Sequence, residues 1–218
     1  MFGLDELISG LAHGSNPWFV LVVALLLGLR HATDPDHVVA VSTLVAIEPE
    51  RRVPRAGILG AAWGAGHASA VLAVGLPFVL LAVLLPQPVQ STAEVLVCVV
   101  IVLLGLRLLR RRPTPSHRHP ARSPLAAYGI GVLHGVGGSA FVTLLLLGTI
   151  CGRGEAAAAL GLFALGTMAS MALLSAGLGL ALGARRVQSG FGRLAPALAV
   201  STCLFGVVYA AGAVGGLA

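Results

Sequence analysis

The sequence predicts an all-α integral membrane protein of six transmembrane helices, and three observations carry that expectation. The 218 residues are 57% hydrophobic and only 10% charged, and the mean hydropathy of +0.95 lies far above that of soluble chains. Apolar runs recur along the chain, each long enough to cross a hydrocarbon core of about 30 Å, which takes about 20 residues. The basic residues, finally, collect in alternate connecting segments.

Residues 1–16 hold Asp5 and Glu6 with no basic residue beyond His13, which does not fit the positive start of a cleaved signal peptide. Phe2, Leu4, Leu7, Ile8 and Leu11 share one helical face, so a short interfacial helix is expected there. Asn16-Pro17 supplies a cap and a first-turn proline for span one, residues 18–47, broken at Asp34-Pro35-Asp36 because Pro35 has no N–H to give the His31 carbonyl. Span two, 57–84, follows the charged Glu48-Pro49-Glu50-Arg51-Arg52. Span three, 93–110, opens on Ser91-Thr92-Ala93-Glu94, which has the spacing of a capping box. Residues 111–123 form an Arg/His/Pro loop with His117 and His119. Ser123-Pro124 then starts span four, 125–151, followed by span five, 156–182, and span six, 194–215.

The chain is thus one transmembrane domain over 1–218, in two three-helix halves, 17–110 and 124–218, flanking the loop. His31 and His134 stand 103 positions apart, and Gly60 with Gly161 and Gly105 with Gly206 stand 101 apart. Three spans are an odd number, so a repeated second half inserts upside down, as in the inverted repeats of secondary transporters.

All fourteen basic residues are Arg. Without lysine there is no phosphate-binding loop of the usual kind and no Schiff-base chemistry. A formal charge of +6 invites a nucleic-acid partner, but twelve of the arginines fall in the segments after spans one, three and five, against Arg153 on the other side. That is the asymmetry of cytoplasmic loops, so both termini are expected outside the cytoplasmic membrane of a bacterium, with no nucleic acid involved. Cys98, Cys151 and Cys203 show no CxxC spacing and read as packing residues.

The fourteenth arginine, Arg30, belongs to the stretch Arg30-His31-Ala32-Thr33-Asp34-Pro35-Asp36-His37 near the midpoint of span one. A charge at that depth costs roughly 2.5–3.5 kcal/mol on insertion scales. His31, Asp36 and His37 offer two nitrogen ligands and one oxygen, a set suited to divalent Ni, Co, Zn or Fe. On an unbroken helix the two imidazoles would lie about 120° apart, so the proline break is what lets them converge. Asp34 can hold an imidazole by its other nitrogen or pair with Arg30. The competing reading is a buried ion-pair network without a ligand. His67, beside glycines and Ser69, serves equally as a ligand or as a helix-to-helix hydrogen bonder. His134 is similar, with the repeat spacing favouring the site. Ser139 near this histidine invites a serine-protease reading, but no acid or second motif accompanies it.

His31-Ala32-Thr33-Asp34-Pro35-Asp36-His37 resembles the H-x4-D-H signature of the nickel/cobalt permease family (NiCoT), and Gly66-His67-Ala68-Ser69 resembles its second histidine motif. The stretch from His134 to Ala140 is similar to that of the small, urease-accessory-like branch. The resemblance spans all six predicted helices. It implies ATP-independent uptake of Ni²⁺ or Co²⁺ as substrate, with no prosthetic group and no enzymatic reaction. It implies metal ligands at His31, Asp36, His37, His67 and His134, supported by Arg30, Asp34, Ser69 and Ser139. Larger members carry two further spans and an acidic motif that this chain lacks, which leaves nickel against cobalt open. The partners expected are the metal ion and the lipid bilayer; the oligomeric state stays open, a homo-oligomer included. Three alternatives stand beside uptake: efflux by the same fold, the metal-binding subunit of an ATP-driven importer, and an accessory factor delivering nickel to urease or hydrogenase maturation without transport. The importer subunit carries a histidine at position 2, where this chain has Phe2.

Overall fold

A computed structural model of the chain describes residues 17–47, 53–83, 86–110, 123–137 and 152–215. Everything described is helix or short connection, with no strand. The helices are α1 (Pro17–His31), α2 (Pro35–Ile47), α3 (Val53–Leu81), α4 (Gln87–Leu109), α5 (Pro124–Val136), α6 (Arg153–Gly183) and α7 (Arg185–Gly215). Among the described residues four helices are long and apolar enough to cross a membrane, or five counting α1 and α2 as one span bent by 49°. The interfacial segment 1–16, the loop 111–122 and the second half of the fourth predicted span lie outside the described residues. Large apolar side chains face outward, with Leu125, Leu173 and Leu180 each at least 67% exposed, the pattern of a surface solvated by lipid.

The break in the first span falls at residues 32–34, just before the predicted position, and Pro35 is the first residue of α2. A proline at that position has no helical hydrogen bond to lose. The freed His31 carbonyl accepts the Asp34 N–H at 3.1 Å, the Thr33 N–H and hydroxyl both turn back to the Arg30 carbonyl, and the Asp34 carbonyl takes the Val38 N–H. The non-helical backbone is therefore satisfied internally, a requirement inside a bilayer.

One local expectation is corrected. α4 begins at Gln87, so Ser91 and Thr92 lie within the helix rather than capping it, and Thr92 bonds back to the Pro88 carbonyl at 2.6 Å. The prolines at 86 and 88 start the helix earlier because fixed φ favours the first turn. Ser123 does cap α5, its hydroxyl accepting the Ala126 N–H at 3.1 Å.

Helix contacts run through glycine. A Cβ at Gly28 would strike the Phe163 carbonyl, and one at Gly131 would strike the Trp63 carbonyl. Gly66 meets the Tyr128 carbonyl in the same way, and Gly166 meets the Leu25 carbonyl at 2.7 Å. These contacts are reciprocal: residues 28 and 131 and residues 25 and 128 are 103 apart, and residues 63 and 163 and residues 66 and 166 are 100 apart. Between α4 and α7, Gly105 meets the Ala199 carbonyl at 3.0 Å and Gly206 the Cys98 carbonyl at 3.3 Å, again in matched pairs 101 apart. Gly64 against Met168 and Gly57 against Ala176 show α3 and α6 to be antiparallel. The Gly60–Gly161 match of the sequence does not join this pattern, since Gly60 abuts Ser175 whereas nothing lies within 4 Å of a Cβ at Gly161.

Gly28→Ala should lower stability by about 1–3 kcal/mol, because helix backbones in contact have no slack for the added carbon. Gly161→Ala, in open space, should be neutral or gain up to about 1 kcal/mol of helix propensity. Thermal unfolding of both variants in one detergent decides this, and equal shifts would contradict the packing described.

Candidate metal centre

Helix α1 ends at His31 and α2 carries His37 in its first turn, so the bend brings their ring centroids to 4.8 Å. The middle of α3 adds His67, whose ring lies 5.0 Å from that of His31 and 5.1 Å from that of His37. All three are at most 4% exposed. Each offers a ligand atom such that all lie within 4.8 Å of one another. Nitrogens bound about 2.1 Å from one ion stand about 3–4 Å apart, so a small contraction would seat a cation. Asp34, Asp36 and His37 form a second group with the same property.

The carboxylates orient the rings. His31 Nδ1 donates to Asp34 Oδ2 at 3.0 Å and His37 Nδ1 donates to Asp36 Oδ1 at 3.2 Å. In the neutral imidazoles this leaves the Nε2 lone pairs for a ligand, the carboxylate–histidine–metal arrangement. His67 Nε2 lies 3.1 Å from His31 Nε2, and with a lone pair on His31 it is His67 that donates. That proton must leave or move to Nδ1 before both nitrogens can share an ion. His134 donates from Nδ1 to the Ile130 carbonyl at 3.0 Å, again leaving Nε2 as acceptor.

Asp36 Oδ2, His37 Nε2, His67 Nδ1 and His134 Nε2 are buried with no hydrogen-bond partner among the described residues. An unsatisfied buried polar atom costs about 1–3 kcal/mol; Asp36 Oδ2 and His37 Nε2 are positions that a cation fits, whereas His67 Nδ1 is the ring nitrogen not facing His31. Asp36 reaches His37 through one oxygen and keeps the other free, and Asp34 has the matching role at His31.

The remaining expected residues fall as follows. His134 approaches His37, at 5.6 Å between centroids, rather than His31 or His67. Arg30 is exposed, and its carbonyl caps the helix end. Ser69 bonds the Gly66 carbonyl at 2.8 Å and the Tyr128 hydroxyl at 2.9 Å, fastening α3 to α5 rather than bracing a histidine. Ser139 lies outside the described residues. Two aromatics went unnoticed in the sequence: Trp63 is stacked on His37 at 6.1 Å and lies 5.1 Å from His134, and Phe163 lies 5.3 Å from His31. Trp63 precedes His67 by one helical turn, the one signal that could have picked it out.

Among curated proteins the chain is similar to the urease accessory protein UreH of Bacillus sp. (strain TB-90), 29% identical over 164 residues that make up 67% of this chain and 71% of that protein. No family model matches the chain, and no solved structure matches it.

Replacing His31, His37 or His67 by Ala should weaken Ni²⁺ or Co²⁺ binding at least tenfold in calorimetric titration, while Ser69→Ala should leave it within about threefold. Asp36→Asn should cost about 10–100-fold, the usual effect of losing an orienting carboxylate. Histidine ligates only when neutral, so affinity should fall as pH drops from about 8 to about 5, a range that brackets the ordinary imidazole pKa of about 6.5. Affinity that rises as the pH falls would contradict histidine ligation.

Proposed function

We propose that this multi-pass membrane protein is a transporter that carries a divalent transition-metal ion, Ni²⁺ or Co²⁺, into the cytoplasm. The observation that carries the reading is the convergence of His31, His37 and His67 at a helix break, with Asp34 and Asp36 fixing two of the rings. Imidazoles with carboxylate partners suit borderline divalent ions better than Mg²⁺ or Ca²⁺, which take oxygen shells. The 29% identity to a urease accessory protein points the same way, since urease maturation consumes nickel. The chain is read as a carrier rather than an enzyme, with metal as cargo and no prosthetic group.

The reciprocal glycine contacts support six spans in two inverted three-helix repeats, with the antiparallel α3 and α6 packed together and α1 and α5 in matching positions on either side. In such folds the halves rock about a site near the membrane midplane. An inside-negative potential drives a bare dication inward with about 4.6 kcal/mol per 100 mV, twice the value for one charge. In this reading the arginine asymmetry places the loop 111–123 in the cytoplasm and both termini outside.

One alternative draws on a specific observation, the relative's role as an accessory protein: binding nickel and passing it on without transport. Vesicles containing only this protein separate the two. A transporter fills the vesicle with Co²⁺ or Ni²⁺ down an imposed gradient, and His37→Ala abolishes the uptake, whereas an accessory factor binds the ion and gives no flux. For topology, a cysteine at Gln87 should react with an impermeant reagent from outside the cell and one at Pro115 should not.

A further inference from the structure

Trp63 and Phe163 occupy equivalent places in the two halves. Each lies ten residues from the start of its helix, Val53 for α3 and Arg153 for α6, or about 15 Å at 1.5 Å per residue. Because the two helices are antiparallel, these depths are measured from opposite faces of the domain. Each aromatic has its carbonyl against a glycine of the neighbouring helix, Gly131 or Gly28, and its ring against that helix's histidine, His134 or His31. Both rings are 0% exposed. One turn further along each helix come His67 and Thr167, respectively. The three-histidine cluster therefore lies between the two rings, with Phe163 covering its His31 side and Trp63 its His37 side. Trp63 also lies against His134, which itself approaches His37 at 5.6 Å between centroids, and its indole N–H has no hydrogen-bond partner among the described residues.

We propose that Phe163 and Trp63 are the two gates of the metal path, each closing the cluster toward one face of the membrane. The proposal rests on the transporter reading above and adds residues that touch the ion's route without ligating it. Bulky apolar rings packed against imidazoles exclude water and hydrated cations. Moving one ring at a time, as its half rocks, opens one side while the other stays shut.

The test uses the full chain with Cys98, Cys151 and Cys203 replaced by Ser and with Thr167→Cys as the reporter, in sided vesicles. An impermeant charged thiol reagent is applied to one face at a time. Phe163→Ala should speed labelling at least fivefold from the face where α6 begins, Trp63→Ala from the face where α3 begins, and neither from the other face. Co²⁺ affinity within about threefold of the parent shows each variant to be folded. If an Ala variant loses Co²⁺ binding, Phe163→Leu and Trp63→Leu take its place in the same comparison. Acceleration from both faces, or from neither, overturns the gates. Co²⁺ flux by the parent in the same vesicles is the separate control: its absence refutes the transporter reading, whereas flux with side-independent labelling refutes the gates alone.

Discussion

Backbone polar groups inside a membrane must find partners within the protein, and the interruption at residues 32–34 is where this chain meets that demand most sharply. The short run Ala32-Thr33-Asp34 turns the His31, Arg30 and Asp34 carbonyls onto nearby N–H groups and the Thr33 hydroxyl. The turn is covered only in part: Ala32 and Asp34 are buried, whereas Arg30, Thr33 and Pro35 are exposed, so the internal hydrogen bonds matter. Helix α6 packs on α1 through Gly28 and Gly166, and α5 on α3 through Gly66 and Gly131. The small residues are thus tied to the histidines, since these helix contacts bring His67 of α3 beside the rings of His31 and His37.

The carboxylates illustrate how one local constraint produces two roles. Asp34 supplies the first helical carbonyl of α2 and also holds His31, three residues earlier. Asp36 lies in the first turn of α2, where a negative charge meets the positive end of the helix dipole, and holds His37. Both are buried, and both have a stabilising partner at hand. The motif therefore builds a helix start and orients two imidazoles with the same side chains.

Much of this was legible in the sequence because the strongest signals were local. The apolar runs gave the helices, the proline gave the break, and the pairing of histidines with acids in an apolar run gave the centre. The errors were also local. Ser91 to Glu94 has capping-box spacing, but the prolines at 86 and 88 nucleate α4 a turn earlier, and spacing alone cannot rank the two starts. What the sequence could not yield was relative depth across helices. Ser69 sits two residues from His67 yet turns to Tyr128, and His134 meets His37 directly, with Trp63 beside both rings. Trp63 at least stands one turn before His67, but Phe163 is one of seven phenylalanines, and only its three-dimensional neighbours distinguish it.

The stacking of Trp63 on His37 has a spectroscopic consequence. The chain has two tryptophans: Trp18 is 74% exposed at the start of α1, and Trp63 is fully buried with its centroid 6.1 Å from the His37 ring. Open-shell ions such as Co²⁺ and Ni²⁺ quench an indole at such range, whereas closed-shell Zn²⁺ does not. The emission of this protein should thus divide into a component from the exposed Trp18 and one from the buried Trp63, which an open-shell ion seated at the cluster would quench. The molecule carries its own optical probe, already installed at the position where a label would otherwise have to be engineered.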